Sequence, residues 1–318
     1  MLESKTINKF EKDQRIDGFY IIKRSEVKTS STNKKYMDLT FGDSTGEING
    51  KLWEYKEGDE EQLTSNVLVK TRGMVSAWQG SLQLKVEKIR ISTVEDQLDP
   101  SNFVPVAPYD PEDMYQVVLD YTDRIKNDDI KNIVYEILNN CIDEIMYFPA
   151  AKKNHHAVRS GLLYHVTTML KSGDKLSEIY SFLNTDLLFG GIILHDIAKL
   201  YEMNSSDLGI VSEYTVEGQL LGHIIQGIKL IETAGKKVGA DKEITMLLEH
   251  MVLSHHYEPE YGSPKKPAIP EAEMLHFLDD MDAKMYDMRK ALEDTKQGEF
   301  SENIWSLDKR RIYKGKNI

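Results

Sequence analysis

A single cysteine in 318 residues is the first limit on this chain. Cys141 has no second thiol to pair with, so an internal disulfide is excluded and a reducing compartment, the cytoplasm, is expected. Long apolar runs are missing as well. No stretch approaches the roughly 18 residues of a membrane span, and the opening Met-Leu-Glu-Ser-Lys-Thr-Ile-Asn-Lys lacks a signal-peptide core. Membrane association is therefore not expected. Positive charge is in deficit, with 40 Lys/Arg against 52 Asp/Glu and a net charge of −12. That balance argues against coating nucleic acid through bulk electrostatics. No repeat or low-complexity tract is present, and of nine prolines four fall within residues 93–112.

The acidic excess is uneven. Residues 1–90 hold 16 Lys/Arg against 14 Asp/Glu, which leaves 24 against 38 for the remainder. A basic cluster, Lys309-Arg-Arg-Ile-Tyr-Lys-Gly-Lys316, closes the chain. A chain of this length suits two domains, and 40% hydrophobic content is enough to pack them.

The first ninety residues read as strands at 18–27, 35–41, 46–53, 67–75 and 81–91, from period-two alternation and the turns between them. Five short strands with a longer link before the fourth suit a small all-β barrel of the OB type, with an SH3-like barrel as the competing architecture. Met37, Leu39, Phe41, Ile48, Leu52, Leu82, Leu84 and Val86 are expected inside. The other face then carries Tyr36, Lys51, Trp53 and Lys85, with Lys70 or Arg72 nearby. Rings interleaved with cations suit a single strand, because bases stack on rings while cations follow phosphates. The proline-rich 93–112 reads as a linker. Helical patterns follow at 113–126, 128–146, 159–173, 175–182, 185–202, 217–235, 241–254 and 271–294, an all-α bundle. The expected organisation is thus a barrel over 1–92, a linker over 93–112, and a helical domain with a basic tail over 113–318.

Within that bundle, His195-Asp196 lies in an apolar run, Leu187-Leu-Phe-Gly-Gly-Ile-Ile-Leu-His-Asp-Ile-Ala-Lys199. Adjacent side chains on a helix point about 100° apart, so the two converge only on something held between helices. Imidazole with carboxylate suits a divalent metal such as zinc, manganese, iron or nickel. No single histidine identifies a ligand. Recurrence does, because His165, His195, His223, His255 and Asp279 fall on separate helices, the way bundles build metal sites. Lys199 lies one turn from His195. His250 and His276 read as packing residues, with His256 as the alternative to His255.

The order His165, His195-Asp196, Asp279 resembles the HD superfamily of metal-dependent phosphohydrolases. His223 and His255 match the extra histidines of its two-metal members. Asp279 is preferred to Asp282 because Asp-x-x-Asp-Ala resembles that family's closing pattern. A barrel followed by such a domain looks like the YhaM-type 3′→5′ exoribonucleases, as do Asn154-His-His-Ala-Val-Arg-Ser-Gly-Leu-Leu-Tyr-His165, Leu253-Ser-His-His256, Tyr261-Gly-Ser-Pro and the Arg310-Arg-Ile-Tyr-Lys tail. The resemblance covers nearly the whole chain. It implies two divalent cations, manganese first, with magnesium, cobalt or iron(II) as alternatives. Asp196 would bridge them, with His165, His195 and Asp279 on one and His223 and His255 on the other. It implies hydrolysis of single-stranded RNA, and also of single-stranded DNA. Lys199 would assist catalysis, and Arg159 and His156 would clamp the terminal nucleotide. An HD-type nucleotidase or cyclic-nucleotide phosphodiesterase, or a non-catalytic nucleic-acid-binding factor, stands as the alternative. A homo-oligomer is compatible with all of these.

Overall fold

The computed structural model describes residues 6–153 and 155–316, so Asn154 of the 154–165 segment lies outside it. Two compact units divide between Val106 and Ala107.

The first unit is a closed barrel of five strands: β1 (Arg15–Thr29), β2 (Lys35–Asp43), β3 (Gly46–Leu52), β4 (Leu68–Trp78) and β5 (Ser81–Ile91). Its order is β1-β2-β3-β5-β4, closed by β1 against β4, with β3 and β5 parallel. This is the OB arrangement. A one-turn helix, α1 (Asp59–Gln62), lies in the longer link before β4. The interior follows from alternation: Met37, Leu39, Phe41, Val69, Val75 and Leu84 are fully buried. Where β4 meets β5 the register slips between Arg72 and Gly73, and a side chain at Gly73 would reach within 2.3 Å of the Lys85 carbonyl. Glycine is required by that close approach. Leu82 departs from expectation. It is 39% exposed, because its pair with Ala77 lies beside the turn of the β4–β5 hairpin, where the flanking residues are also exposed.

The second unit contains α2 (Pro111–Arg124), α3 (Asp128–Asn139), α4 (Ile142–Ile145), α5 (Gly161–Ile179), α6 (Thr185–Leu194), α7 (Lys199–Glu202), α8 (Val216–Val238), α9 (Lys242–Ser254) and α10 (Pro270–Glu293). No helix among the described residues is long and apolar enough to cross a membrane. Leu187 through Leu194 of α6 are all buried, so this helix is surrounded by the others, which is why it is apolar on every side. α2, α3, α5, α9 and α10 all pack against it.

Several details differ from the periodicity, and the pattern at 128–146 divides into α3 and α4 around Asn140 and Cys141. The patterns at 159–173 and 175–182 are one continuous helix, α5. The pattern at 185–202 breaks after Leu194. Residues 195–198 form a turn whose backbone bonds tighten to three-residue spacing, from Ile197 to the Leu194 carbonyl and from Lys199 to that of Asp196. The bundle also carries a small antiparallel hairpin, β6 (Met203–Ser205) with β7 (Val211–Tyr214), turned at Gly209 with a positive φ of 69°. Cys141 is buried in the helical core.

Candidate metal centre

Asp196 is the hub. It sits 2% exposed in the turn after α6, and its two oxygens face different histidine pairs. His195 Nε2 lies 3.5 Å and His165 Nε2 3.9 Å from Oδ2. His223 Nε2 lies 3.5 Å and His255 Nε2 3.8 Å from Oδ1. Asp279, on α10, joins the first pair through Oδ1, 3.3 Å from His165 Nε2.

Each imidazole is oriented through its other nitrogen. His195 Nδ1 donates to the Ile192 carbonyl at 2.8 Å, and His255 Nδ1 to that of Val252 at 2.7 Å. Both residues cap their own helices and satisfy carbonyls that a helix end leaves free. His165 Nδ1 donates to Asp282 Oδ2 at 2.7 Å, and His223 Nδ1 faces Glu202 Oε1 at 3.2 Å. The same Glu202 oxygen accepts the His223 backbone N–H at 3.1 Å. That N–H is free because α8 is kinked at Gly222, with φ 68° and ψ 168°.

His156 is 1% exposed, and its Nε2 donates to Asp282 Oδ2 at 2.7 Å while its ring lies 4.1 Å from that of Tyr286. It stands behind His165. Arg159 reaches the Asp207 carbonyl through Nε at 3.0 Å. His256 adds to the expected set: Asp196, His223, His255 and His256 offer ligand atoms within 4.8 Å of one another. Its Nδ1 donates to the Tyr261 carbonyl at 2.6 Å, leaving Nε2 free. His165, His195 and Asp279 form a second such group. His250 accepts the Ala268 N–H and His276 Nδ1 donates to the His255 carbonyl, so both serve the backbone. Spacing alone does not mark Glu202 and Asp282 as orienting groups, although Asp282 lies one turn from Asp279 and Glu202 one turn from Lys199.

Burial works to raise the Asp196 carboxyl, but the Lys199 ammonium at 2.6 Å holds it well below its usual range. Lys199 is held charged in return, against its own burial. Asp279 is likewise ionised despite burial, by the His165 imidazolium 3.3 Å away. Burial keeps His195 and His255 neutral, the form in which imidazole binds a cation.

The donor set fits metal. Asp196 Oδ1 and the Nε2 atoms of His195, His223 and His255 are buried with no hydrogen-bond partner. Each such orphan costs about 1–3 kcal/mol unless something fills the space between them. Donors bound to one ion at about 2.0–2.2 Å lie roughly 3–4 Å apart, as these pairs do.

Residues 162–284 match the HD domain family. The matched HD domain runs from α5 into α10 and contains His165, His195, Asp196, His223, His255 and Asp279. It indicates a metal-dependent phosphohydrolase. Among solved structures, the hypothetical protein ygiW from E. coli is 20% identical across 27% of this chain and 82% of that one, with a TM-score of 0.21. The second OB-fold domain of replication protein A from Methanococcus maripaludis is 16% identical across 27% of this chain and 92% of that one, also with a TM-score of 0.21.

On the barrel, Tyr36 and Trp53 stack with centroids 4.5 Å apart and planes at 27°, and Lys51 lies 5.6 Å over Tyr36. Lys51 also pairs with Asp38 at 2.6 Å, and Asp38 is shared with Lys28. Trp53 is 49% exposed and borders a cleft of about 570 Å³ with Lys85.

Proposed function

We propose that this protein is a metal-dependent 3′→5′ exonuclease that removes nucleotides from single-stranded RNA, with single-stranded DNA as a second substrate. The observation that carries the catalytic half is the division of four histidines between the two oxygens of one ionised, buried aspartate. Asp196 bridges two sites, with His165, His195 and Asp279 at one and His223 and His255, joined by His256, at the other. Two divalent cations held there, manganese foremost, supply activated water and charge stabilisation for phosphodiester hydrolysis.

The remaining roles belong to the chain. Asp282 and Glu202 fix the ring orientation of His165 and His223, and His156 holds Asp282. Lys199, kept charged by Asp196, neutralises the scissile phosphate and delivers a proton to the departing 3′-oxygen. Arg159 borders the terminal nucleotide. The barrel holds the rest of the strand, with bases on the Tyr36–Trp53 pair and phosphates near Lys51 and Lys85. A lone buried thiol is in keeping with a cytoplasmic setting.

A 5′-labelled RNA oligomer incubated with manganese and the full-length protein tests this reading. The expected product is a ladder shortening from the 3′ end, abolished by Asp196→Asn with circular dichroism unchanged. Hydrolysis of mononucleotides or cyclic nucleotides with the oligomer left intact would assign the centre to small-molecule chemistry instead.

A further inference from the structure

We propose that the C-terminal hairpin of the helical unit is a second platform for single-stranded nucleic acid, separate from the barrel. Residues 300–313 fold back on themselves through bridges between Phe300 and Tyr313 and between Ile304 and Arg310. The hairpin exposes three rings: Trp305 at 75%, Phe300 at 54% and Tyr313 at 48%. Grouped on one short hairpin, these rings form an exposed apolar patch of the kind that marks interaction sites.

Cations are interleaved with them. Lys309 Nζ lies 4.4 Å over Trp305, and the Arg311 guanidinium 5.5 Å over Phe300, whose ring is 5.1 Å from that of Tyr313. The polar contacts of Arg310, Arg311 and Lys314 go to the carbonyls of Leu307, Ser301 and Leu292. Among the described residues none of these cations has a carboxylate partner, in a protein of net charge −12. Unneutralised charge beside open rings matches a polyanion that carries bases.

The turn is costly to hold. Asp308 and Lys309 both take positive φ, 54° and 60°, and Arg310 N–H closes onto the Leu307 carbonyl at 2.9 Å. Two successive non-glycine residues in that region are uncommon. Their effect is to set Lys309 beside Trp305. The hairpin is anchored to α10, where Ser306 Oγ donates to the Asp287 carboxylate. Asp287 follows Asp279 by eight residues, about 12 Å along the helix. A cleft of about 670 Å³ between hairpin and α10 carries Asp287, Asp294, Glu299 and Glu302 against Lys153, Lys290 and Lys296. Phosphates are repelled from that floor, so the strand follows the outer rim, stacking on Trp305 and Phe300.

The identity of the strand rests on the exonuclease reading, and the experiment separates the two. Binding of a 5′-fluorescein oligouridylate of about 20 nucleotides is measured by anisotropy in an Asp196→Asn background. Trp305→Ala raises Kd about 5- to 150-fold, the effect of losing one stacked base. Lys309→Ala with Arg310→Ala lowers the slope of log K against log salt by about 0.7 per cation removed. Hydrolysis of bis(p-nitrophenyl) phosphate, measured with Asp196 restored, stays unchanged in these variants, which shows that the fold is intact. Unchanged Kd and slope overturn the proposal. So does unchanged Kd with a shift in mass by light scattering, which would make the hairpin a protein interface. If the wild type produces no RNA ladder while the Kd changes appear as expected, the platform stands and the exonuclease reading falls.

Discussion

A ring nitrogen that meets a carbonyl oxygen must carry the hydrogen, so His195 and His255 present lone pairs at Nε2. His165 is set differently, with carboxylates at both nitrogens. Burial works to lower its pKa, but Asp279 and Asp282 prevail and push it up to about 10 from 6.5. A histidine raised in the folded state stabilises fully below about pH 6.5, and that stabilisation is lost as pH climbs through about 10. In the metal-free protein at neutral pH, His165 is therefore an imidazolium spanning two carboxylates. A cation at Nε2 must displace that proton, so metal affinity rises with pH across this window. Calorimetric manganese titration at pH 7.5, in buffers of different ionisation enthalpy, is expected to show close to one proton released from this site. Asp282→Asn lowers the proton count and weakens affinity about 10- to 100-fold. Zero protons released by the wild type would remove His165 from the ligand set.

At the scale of elements, the kink in α8 does the positioning. Gly222 occupies a region of φ and ψ open essentially to glycine alone, and the break frees the His223 N–H for Glu202. Gly218, in the first turn of α8, packs so closely that a Cβ would lie 2.1 Å from the Glu202 carbonyl oxygen. Gly222→Ala is expected to cost about 1–3 kcal/mol, or roughly 2–4 °C in Tm per kcal/mol for a unit of this size. It should also lose the cation at His223 and His255 while keeping the one at His165 and His195. Thermal denaturation with metal analysis of the purified variant measures both, and retention of two ions would detach the kink from the site.

Periodicity marks the amphipathic helices because their stripes face one core, and the ends of α9 and α10 come within a residue of it. It does not mark the break after Leu194, since α6 is apolar all round and an unbroken helix fits the same letters. Nor does it mark Gly222, because a glycine in a helical pattern looks alike whether tolerated or required. The candidate ligands are legible from residue type and order. Glu202 and Asp282 are not, because they are acidic like many surface positions, and only the fold reveals which imidazoles they meet.

The whole molecule assembles two kinds of chemistry with opposite charge balance. The barrel region is close to neutral with a slight positive excess, whereas the helical unit is strongly acidic, some of that acidity being the carboxylates of the candidate metal centre. The barrel's closure depends on β3 pairing in parallel with β5, a long-range contact that no local pattern encodes, while its alternating strands do encode the buried face. That closure leaves Tyr36 and Trp53 on the outer surface, stacked on each other with Trp53 half exposed. A base added to the stack finds a ring already ordered, so little side-chain entropy remains to be lost. Trp53→Ala should therefore weaken binding of a long oligomer by about 1–3 kcal/mol. Turnover of bis(p-nitrophenyl) phosphate, which needs the helical unit alone, should not change. The two readouts divide in the opposite sense for Asp196→Asn, which abolishes turnover and leaves oligomer binding in place. If Trp53→Ala lowers both equally, the barrel is structural support for the metal centre and the strand is held elsewhere.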